Sequence, residues 1–407
     1  MHLLKRVFCI LILIFLLPSC LDKTVPSKEV ISNEKPIDIE SFSNENKDDG
    51  KIVKNNGQKS GLLLGISRES ESDMFSSSNK YRTLWIYQSD GEIKVNLIND
   101  EIIAPCGDEF YSVSKHKCKY EKLNEWVREK KDFLDYLDYE YYFNFNKIVV
   151  RKLGQDTNTE LSKEELKNKA EKEEWPINLL NEEILYIGNK YICIKGDNFI
   201  TGGGTYKNQD YYINFFELND TKKEVKFTDI IDEIPQDKIN KLKEEKSKVL
   251  IEEKVENGEL YYEEKQLVDD RYIAVRRENG TLVTQMPLIT ESKHYGNGSM
   301  HRIEKKYLNI EVNLPESIKN HEKLSLSWGN IKSYYPSVRD AVSSPSGNML
   351  VILTDKKMLI FSGEDYDLNS PNYEITIDLK EKIIMNQWAT GNYVKEWTKT
   401  IEEHINK

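Results

Sequence analysis

The feature that most constrains this chain is a short unit, a tight turn feeding an apolar strand, that recurs at long and nearly equal intervals. Gly107-Asp108-Glu109-Phe110-Tyr111-Ser112-Val113 has counterparts in Gly188-Asn189-Lys190-Tyr191-Ile192-Cys193-Ile194, Asp269-Asp270-Arg271-Tyr272-Ile273-Ala274-Val275 and Gly347-Asn348-Met349-Leu350-Val351-Ile352-Leu353. Their start points differ by 81, 81 and 78 residues. Fainter copies fall near the half-period, at Phe145 to Val150 and at Gly391-Asn392-Tyr393-Val394. Such spacing is the mark of repeated units that bury their apolar faces on one another. Two further signals are β in type. Leu62-Leu63-Leu64-Gly65-Ile66 is a continuous apolar run. Thr83 to Tyr87 and Glu92 to Ile98 flank Asp90-Gly91, a pair that tolerates the positive φ of a tight hairpin turn.

A half-period of about 40 residues is that of one four-stranded propeller blade. Ser344-Pro345-Ser346-Gly347 leading into Met349 to Leu353 resembles the turn-and-strand opening of propeller blades. The expected fold is mainly β with helical insertions, a propeller-like body over 61–407. The alternative is a β-rich α+β chain of two domains. Helical periodicity places Leu123, Val127, Leu134, Leu137 and Tyr141 on one stripe of 121–141. Ser162 with Glu165 reads as a capping box, Gln236 to Val249 as a third helix and Val394 to Ile405 as a fourth.

The N-terminus carries a different signal. Lys5 and Arg6 precede an unbroken apolar run from Val7 to Leu17, too short to span a bilayer and suited to a signal peptide over 1–19. Leu17-Pro18-Ser19-Cys20 resembles the bacterial lipobox, in which the cysteine is acylated and becomes the new N-terminus. Pro18 departs from the family's smaller residue. The resemblance implies a lipoprotein, anchored to a membrane through Cys20 outside the cytoplasm. Leu21 is not the Asp that holds such proteins at the inner membrane of two-membrane bacteria, and inner and outer membranes both stay open. Residues 20–60 hold Phe42 as their sole aromatic and are rich in Ser, Asn, Lys, Glu and Asp. They read as a disordered tether with a root-mean-square reach of roughly 35 Å.

The formal net charge is −11. An acidic balance argues against nucleic acid as a partner, which needs a basic patch. Cys106 and Cys118 flank a short segment and form the candidate disulfide in an oxidising compartment. Cys193, inside Tyr191-Ile192-Cys193-Ile194, reads as a buried free thiol.

Residues 200–231 carry a second resemblance. Ile200-Thr201-Gly202-Gly203-Gly204, the run Tyr211 to Leu218, and Lys223 to Ile230 look like part of the extracytoplasmic domain of lysozyme-sensing anti-sigma factors and some envelope deacetylases. The family's usual residue after its glycine pair is absent here. The resemblance implies recognition rather than catalysis.

No nucleophile elbow, phosphate loop, dinucleotide fingerprint or zincin helix is present, so neither a cofactor nor a metal is expected. His294 and His301, seven apart in what reads as a polar loop, could share a metal but read as solvated. Asp269, Asp270 and Asp340 stand beside expected strand starts and read as turn caps. Asp132, Asp135 and Asp138 read as a solvated helix face. The 23 tyrosines are a better clue, together with the groupings Tyr139, Tyr141, Tyr142 and Phe143, Tyr334 with Tyr335, and Trp388 with Trp397. Aromatics with a polar handle suit sugar or protein recognition. The expected function is therefore a binding or scaffolding module of the cell envelope, whose partner is an envelope protein or a glycan. Two alternatives are a glycan- or peptidoglycan-acting enzyme in a propeller-like cleft and an envelope stress or lysozyme sensor.

Overall fold

The computed structural model describes residues 59–69, 80–119, 144–154, 179–199, 211–254 apart from 232 and 234, 260–295, 300–363 and 367–406. The chain folds as a five-bladed β-propeller. The signal peptide with its lipobox, nearly all of the tether, the expected helices over 121–141 and after Ser162, and the glycine run 202–204 lie outside the described residues.

In chain order, β1 (Ser60–Arg68), β2 (Lys80–Ser89) and β3 (Glu92–Asn99) form one meander. The second blade is β4 (Glu101–Cys106), β5 (Glu109–Lys119) and β6 (Asn144–Lys152). The third is β7 (Leu179–Ile187), β8 (Tyr191–Phe199), β9 (Tyr211–Glu217) and β10 (Asp220–Val225), joined to β6 by one parallel pairing, Asn146 with Asn181. A 3-10 turn at Phe227–Asp229 and helix α1 (Gln236–Lys246) follow. The fourth blade holds β11 (Lys248–Lys254), β12 (Leu260–Val268), β13 (Ala274–Glu278), β14 (Thr281–Tyr295) and β15 (Met300–Ile310). Helix α2 (Trp328–Tyr334) leads to the fifth blade, β16 (Val338–Ser343), β17 (Met349–Thr354), β18 (Lys357–Ser362) and β19 (Tyr373–Thr376). Finally β20 (Glu381–Thr390) returns to pair with β1, and helix α3 (Asn392–Ile405) ends the chain.

The strand pattern explains the ring. In β17 every residue from Met349 to Thr354 is buried. Met349, Val351 and Leu353 pack into a core with Leu62, Leu64 and Ile66 of β1, whereas Leu350 and Ile352 pack with Ile331 and Phe361. A strand buried on both faces needs a continuous apolar run, not an alternating one. The same holds for β1, whose Leu63 belongs with Trp85, Ile103 and Ile184 on its opposite face. The outer strand β3 alternates instead. Apolar inner strands and half-exposed outer strands are what blades sandwiched between neighbours require.

Closure comes from β20. It lies beside β1, in antiparallel register from Ser60 with Thr390 to Arg68 with Glu381, and so completes the first blade from the other end of the chain. It also touches the inner strands β4, β7, β13 and β16. A hydroxyl seam ties the first and fifth blades: the Ser60, Ser344 and Ser346 hydroxyls all donate to Asn348 Oδ1, at 2.7, 2.9 and 2.7 Å.

Several sequence expectations change. The turn at Gly107, that at Gly188 and that at Gly347 each join the first and second strands of a blade. The spacing near 81 therefore measures one whole blade with its connections, not two. The half-period copies are the third strand of a blade, β6, and the start of α3. The fourth blade's equivalent turn is Asn279-Gly280, with φ of 53° and 79°, between Glu278 and Thr281. Asp269-Asp270-Arg271 is instead the bend that divides β12 from β13 along the edge of β14. The Asp90-Gly91 hairpin forms as expected, with both φ positive. Helix α1 ends at Lys246, and Val249 belongs to β11.

The expected Cys106–Cys118 disulfide is not formed. Cys106 is a free thiol. It faces Glu109, whereas Cys118 lies nine residues further along β5, opposite Phe145. That is about 30 Å of extended strand, against the roughly 7 Å between Cα atoms that a disulfide tolerates. Cys193 is a fully buried free thiol, as expected, and burial pushes it up to about 12.

Candidate functional site

The axis of the ring is closed by a buried polar hub. Arg277, at the end of the fourth blade's inner strand, is 1% exposed. Its Nε donates to Asp340 Oδ2 at 3.0 Å and its Nη2 to Asp340 Oδ1 at 3.3 Å and to Ala341 O at 3.0 Å. Its Nη1 reaches Glu322 Oε2 and Asn386 Oδ1. Asp340 Oδ1 also accepts from the Gly280 and Ala341 amides at 3.0 and 2.8 Å. Tyr186 on β7 is wholly buried beside Glu322, and burial holds its phenol well above its ordinary pKa. The hub thus links the inner strands of the third, fourth and fifth blades to β20.

Residues 316–323, which follow the fourth blade, lie across one end of this hub. Asn189 Nδ2 donates to Glu316 O and Lys319 O at 2.7 and 3.0 Å. The Lys190 amide donates to Ser317 O at 2.9 Å. Asn320 Nδ2 donates to Asn386 O at 2.7 Å. Gly188 is required by this approach: a Cβ there would stand 2.1 Å from Ile318 O. We expect Gly188→Ala to lift the segment and to destabilise the protein by about 1–3 kcal/mol, the usual cost of overpacking. Urea unfolding measures it, and an unchanged midpoint would show that the segment is loosely held.

Between this segment and the turns of the neighbouring blades is an open cleft of about 520 Å³. Its walls are Asn189 from the β7–β8 turn, Pro345 from the β16–β17 turn, Gln387 and Trp388 from β20, and residues of 316–323. This volume falls in the small-ligand range. Lys319 pairs with the exposed Glu316 at 3.1 Å on the rim. Burial, with Lys323 nearby, holds His321 below the usual imidazole range.

Glu322 is the cleft's buried carboxyl. Burial raises its pKa and Arg277 opposes the rise only in part. The sign follows: with the folded pKa above the unfolded one, the native state binds more protons, so this contribution is full below the ordinary glutamate range and is lost as pH rises through the folded pKa. Glu322→Gln should therefore flatten the fall in stability between mildly acidic and neutral pH. Unfolding curves across that range check it, and parallel pH profiles for both proteins would contradict it.

The other sequence candidates fall elsewhere. Asp340 is the hub's acceptor, its oxygens fully engaged. Asp269 caps its bend, taking Arg271 Nε at 2.8 Å and Nη2 at 2.7 Å. Asp270 pairs with Lys243. His116 bonds Ser114 at 3.1 Å, and His404 Nε2 bonds Glu101 Oε1 at 2.7 Å. His294 and His301 sit on β14 and β15 rather than in a loop, and their side chains lie outside the described residues. So do Asp132, Asp135, Asp138, Tyr139, Tyr141, Tyr142 and Phe143. Trp388 and Trp397 do not group: Trp388 lines the cleft, while Trp397 packs on Trp85 and Phe110 at 5.8 and 5.4 Å. Tyr334 is exposed, and the Tyr335 hydroxyl donates to Leu368 O. Among the described residues no group of His, Cys, Asp and Glu is placed to hold a metal ion.

Sequence reasoning missed Arg277, residues 316–323, Asn386 and Gln387. Arg277 carried one usable sign, an arginine at the end of the short strand that starts at Ala274. No known protein family matches the chain, and no curated protein is significantly similar to it.

Proposed function

We propose that the protein is an extracytoplasmic lipoprotein, held to the membrane by lipid on Cys20, that acts as a binding module through the cleft at the ring axis. The observation that carries this reading is the cleft itself, a recess built from several blades and floored by a fixed ionic hub. A rigid scaffold presenting turns around a recess is an arrangement for recognition. The apolar run before Cys20 supports the envelope address.

The enzyme alternative has less support. Glycosidic cleavage uses two carboxyls converging on one bond. Of the carboxyls at the cleft, Glu322 is bound to Arg277 and Glu316 is a rim residue paired with Lys319. Asp340, beneath them, is committed to Arg277 and two amides. The sensor alternative rests on the resemblance over 200–231, whose described strands β9 and β10 belong to the third blade.

Two measurements test the proposal. Cell fractionation should find the wild-type chain with membranes and Cys20→Ala in the soluble fraction; membrane retention of the variant would contradict the anchor. The full chain in detergent should co-sediment with purified envelope fragments, and Lys319→Trp, which fills the rim, should abolish this. Equal sedimentation of both would remove the cleft from the function.

A further inference from the structure

Four polar atoms on residues lining the cleft are buried and have no hydrogen-bond partner: Asn320 Oδ1, Glu322 Oε1, Gln387 Nε2 and Trp388 Nε1. Asn320 and Gln387 are 9% and 6% exposed. Their chemical types are well defined. Asn320 Nδ2 is spent on Asn386 O, which leaves Oδ1 as an acceptor. An indole N–H can only donate, and an ionised carboxylate oxygen can only accept. The residues that carry them line one cleft, and the set holds two acceptors and two donors. A buried polar atom without a partner carries a penalty of about 1–3 kcal/mol, so a ligand that pairs these atoms gains where an apolar one gains nothing. The terminal torsions of Glu322 and Gln387 are broad, so the direction of their polar atoms is adjustable.

We propose that this occupant is an uncharged saccharide, held through neighbouring hydroxyl groups. This inference rests on the binding function proposed above and narrows its ligand. A hydroxyl both gives and accepts a hydrogen bond, so a vicinal pair can serve a set that mixes donors and acceptors. A phosphate or carboxylate would satisfy the donors alone. It would also meet a hub in which two carboxylates, Glu322 and Asp340, share one guanidinium. A cation would satisfy the acceptors alone. The Trp388 indole adds flat apolar area with an N–H handle, suited to the carbon face of a sugar ring. An extended peptide is recognised along a strand edge or groove, and here the walls are turns at a ring axis.

The test is binding of the full chain in detergent to N-acetylchitotriose, maltotriose and mannotriose, with inorganic phosphate and an unstructured decapeptide alongside, read by saturation-transfer NMR and titration calorimetry. At least one saccharide should bind. Trp388→Phe, which keeps an aromatic face but deletes the N–H, and Gln387→Ala should each weaken it by about tenfold, the size of one net hydrogen bond, in proteins that still unfold cooperatively. Saccharide binding indifferent to both substitutions would overturn the assignment. So would binding of phosphate or peptide in place of sugar. If no saccharide binds while envelope fragments still co-sediment in a manner blocked by Lys319→Trp, the ligand class is wrong and the binding function stands. If neither binds, both fall.

Discussion

A chain that stops before Glu381 should have no cooperative unfolding transition. Such a truncation removes β20, and with it Ile383, Ile384, Met385 and Ala389, all buried. Burying one large aliphatic side chain stabilises by about 1.5–3 kcal/mol, and a whole domain is stable by about 5–15 kcal/mol. Three such residues are thus a large part of the total before any ladder is counted. The loss is also topological. β20 is the neighbour of β1 and the strand that touches all four other inner strands. Without it β1 is exposed along the edge that faced the ring interior, and the hub loses Asn386. A chain that keeps β20 but ends at Thr390 should fold with a lowered midpoint, because it loses Val394 and Ile401 from the core and the Thr398 hydroxyl that accepts from the Trp85 indole at 3.1 Å. Circular dichroism melts and limited proteolysis distinguish the two. Wild-type melting of the shorter chain would show that the ring does not depend on its last strand.

Arg277→Ala should be the most damaging single substitution at the axis. Arg277 is buried between two carboxylates, Asp340 at 7% and Glu322 at 15% side-chain exposure. Removing the cation leaves them uncompensated in a largely buried place, and breaking such a buried pair costs about 3–5 kcal/mol. The two carboxyls hold the guanidinium above its already high pKa despite the penalty of burial, which is the same coupling viewed from the other side. Arg277→Lys should recover part of the loss, because one ammonium keeps the charge but not the fork that spans Asp340, Ala341 O and Glu322. Denaturant titration measures the change. A loss under about 1 kcal/mol, the scale of an exposed surface pair, would mean that the hub is hydrated and dispensable.

Much of this fold is written locally. Asp90-Gly91, Gly107-Asp108, Gly188-Asn189 and Gly347-Asn348 are turn chemistry, and each joins two strands where the sequence indicates. The unbroken apolar runs Leu62 to Leu64 and Met349 to Leu353 announce strands buried on both faces. The period was misjudged because its unit lacked a ruler: connections of unequal length between blades leave the turns regular enough to see and too irregular to count. Asp269-Asp270-Arg271 misled for a related reason. A bend that interrupts one strand uses the same capping residues as a turn between two, and Asp269 does cap it. The hub was invisible because its members come from five segments, and nothing in the residues around Arg277 names Asp340, Glu322 or Asn386 as partners. The cleft was hidden likewise, since 316–323 has neither strand nor helix periodicity and acquires its place by bonding to Asn189 and to β20. The flagged Trp388 does reach the cleft, whereas Trp397 spends its area on Trp85 and Phe110.

Hydrogen exchange of the full chain, with and without purified envelope fragments, tests the central claim most directly. Residues 186–190, 316–323, 344–348 and 385–388 are far apart in sequence and meet only if the ring closes around the cleft. The account predicts that exchange slows in all four segments together when fragments are added, with β1 and β20 opening as one unit. Slowing confined to an outer strand such as β3 or β19, or β1 exchanging independently of β20, would contradict it.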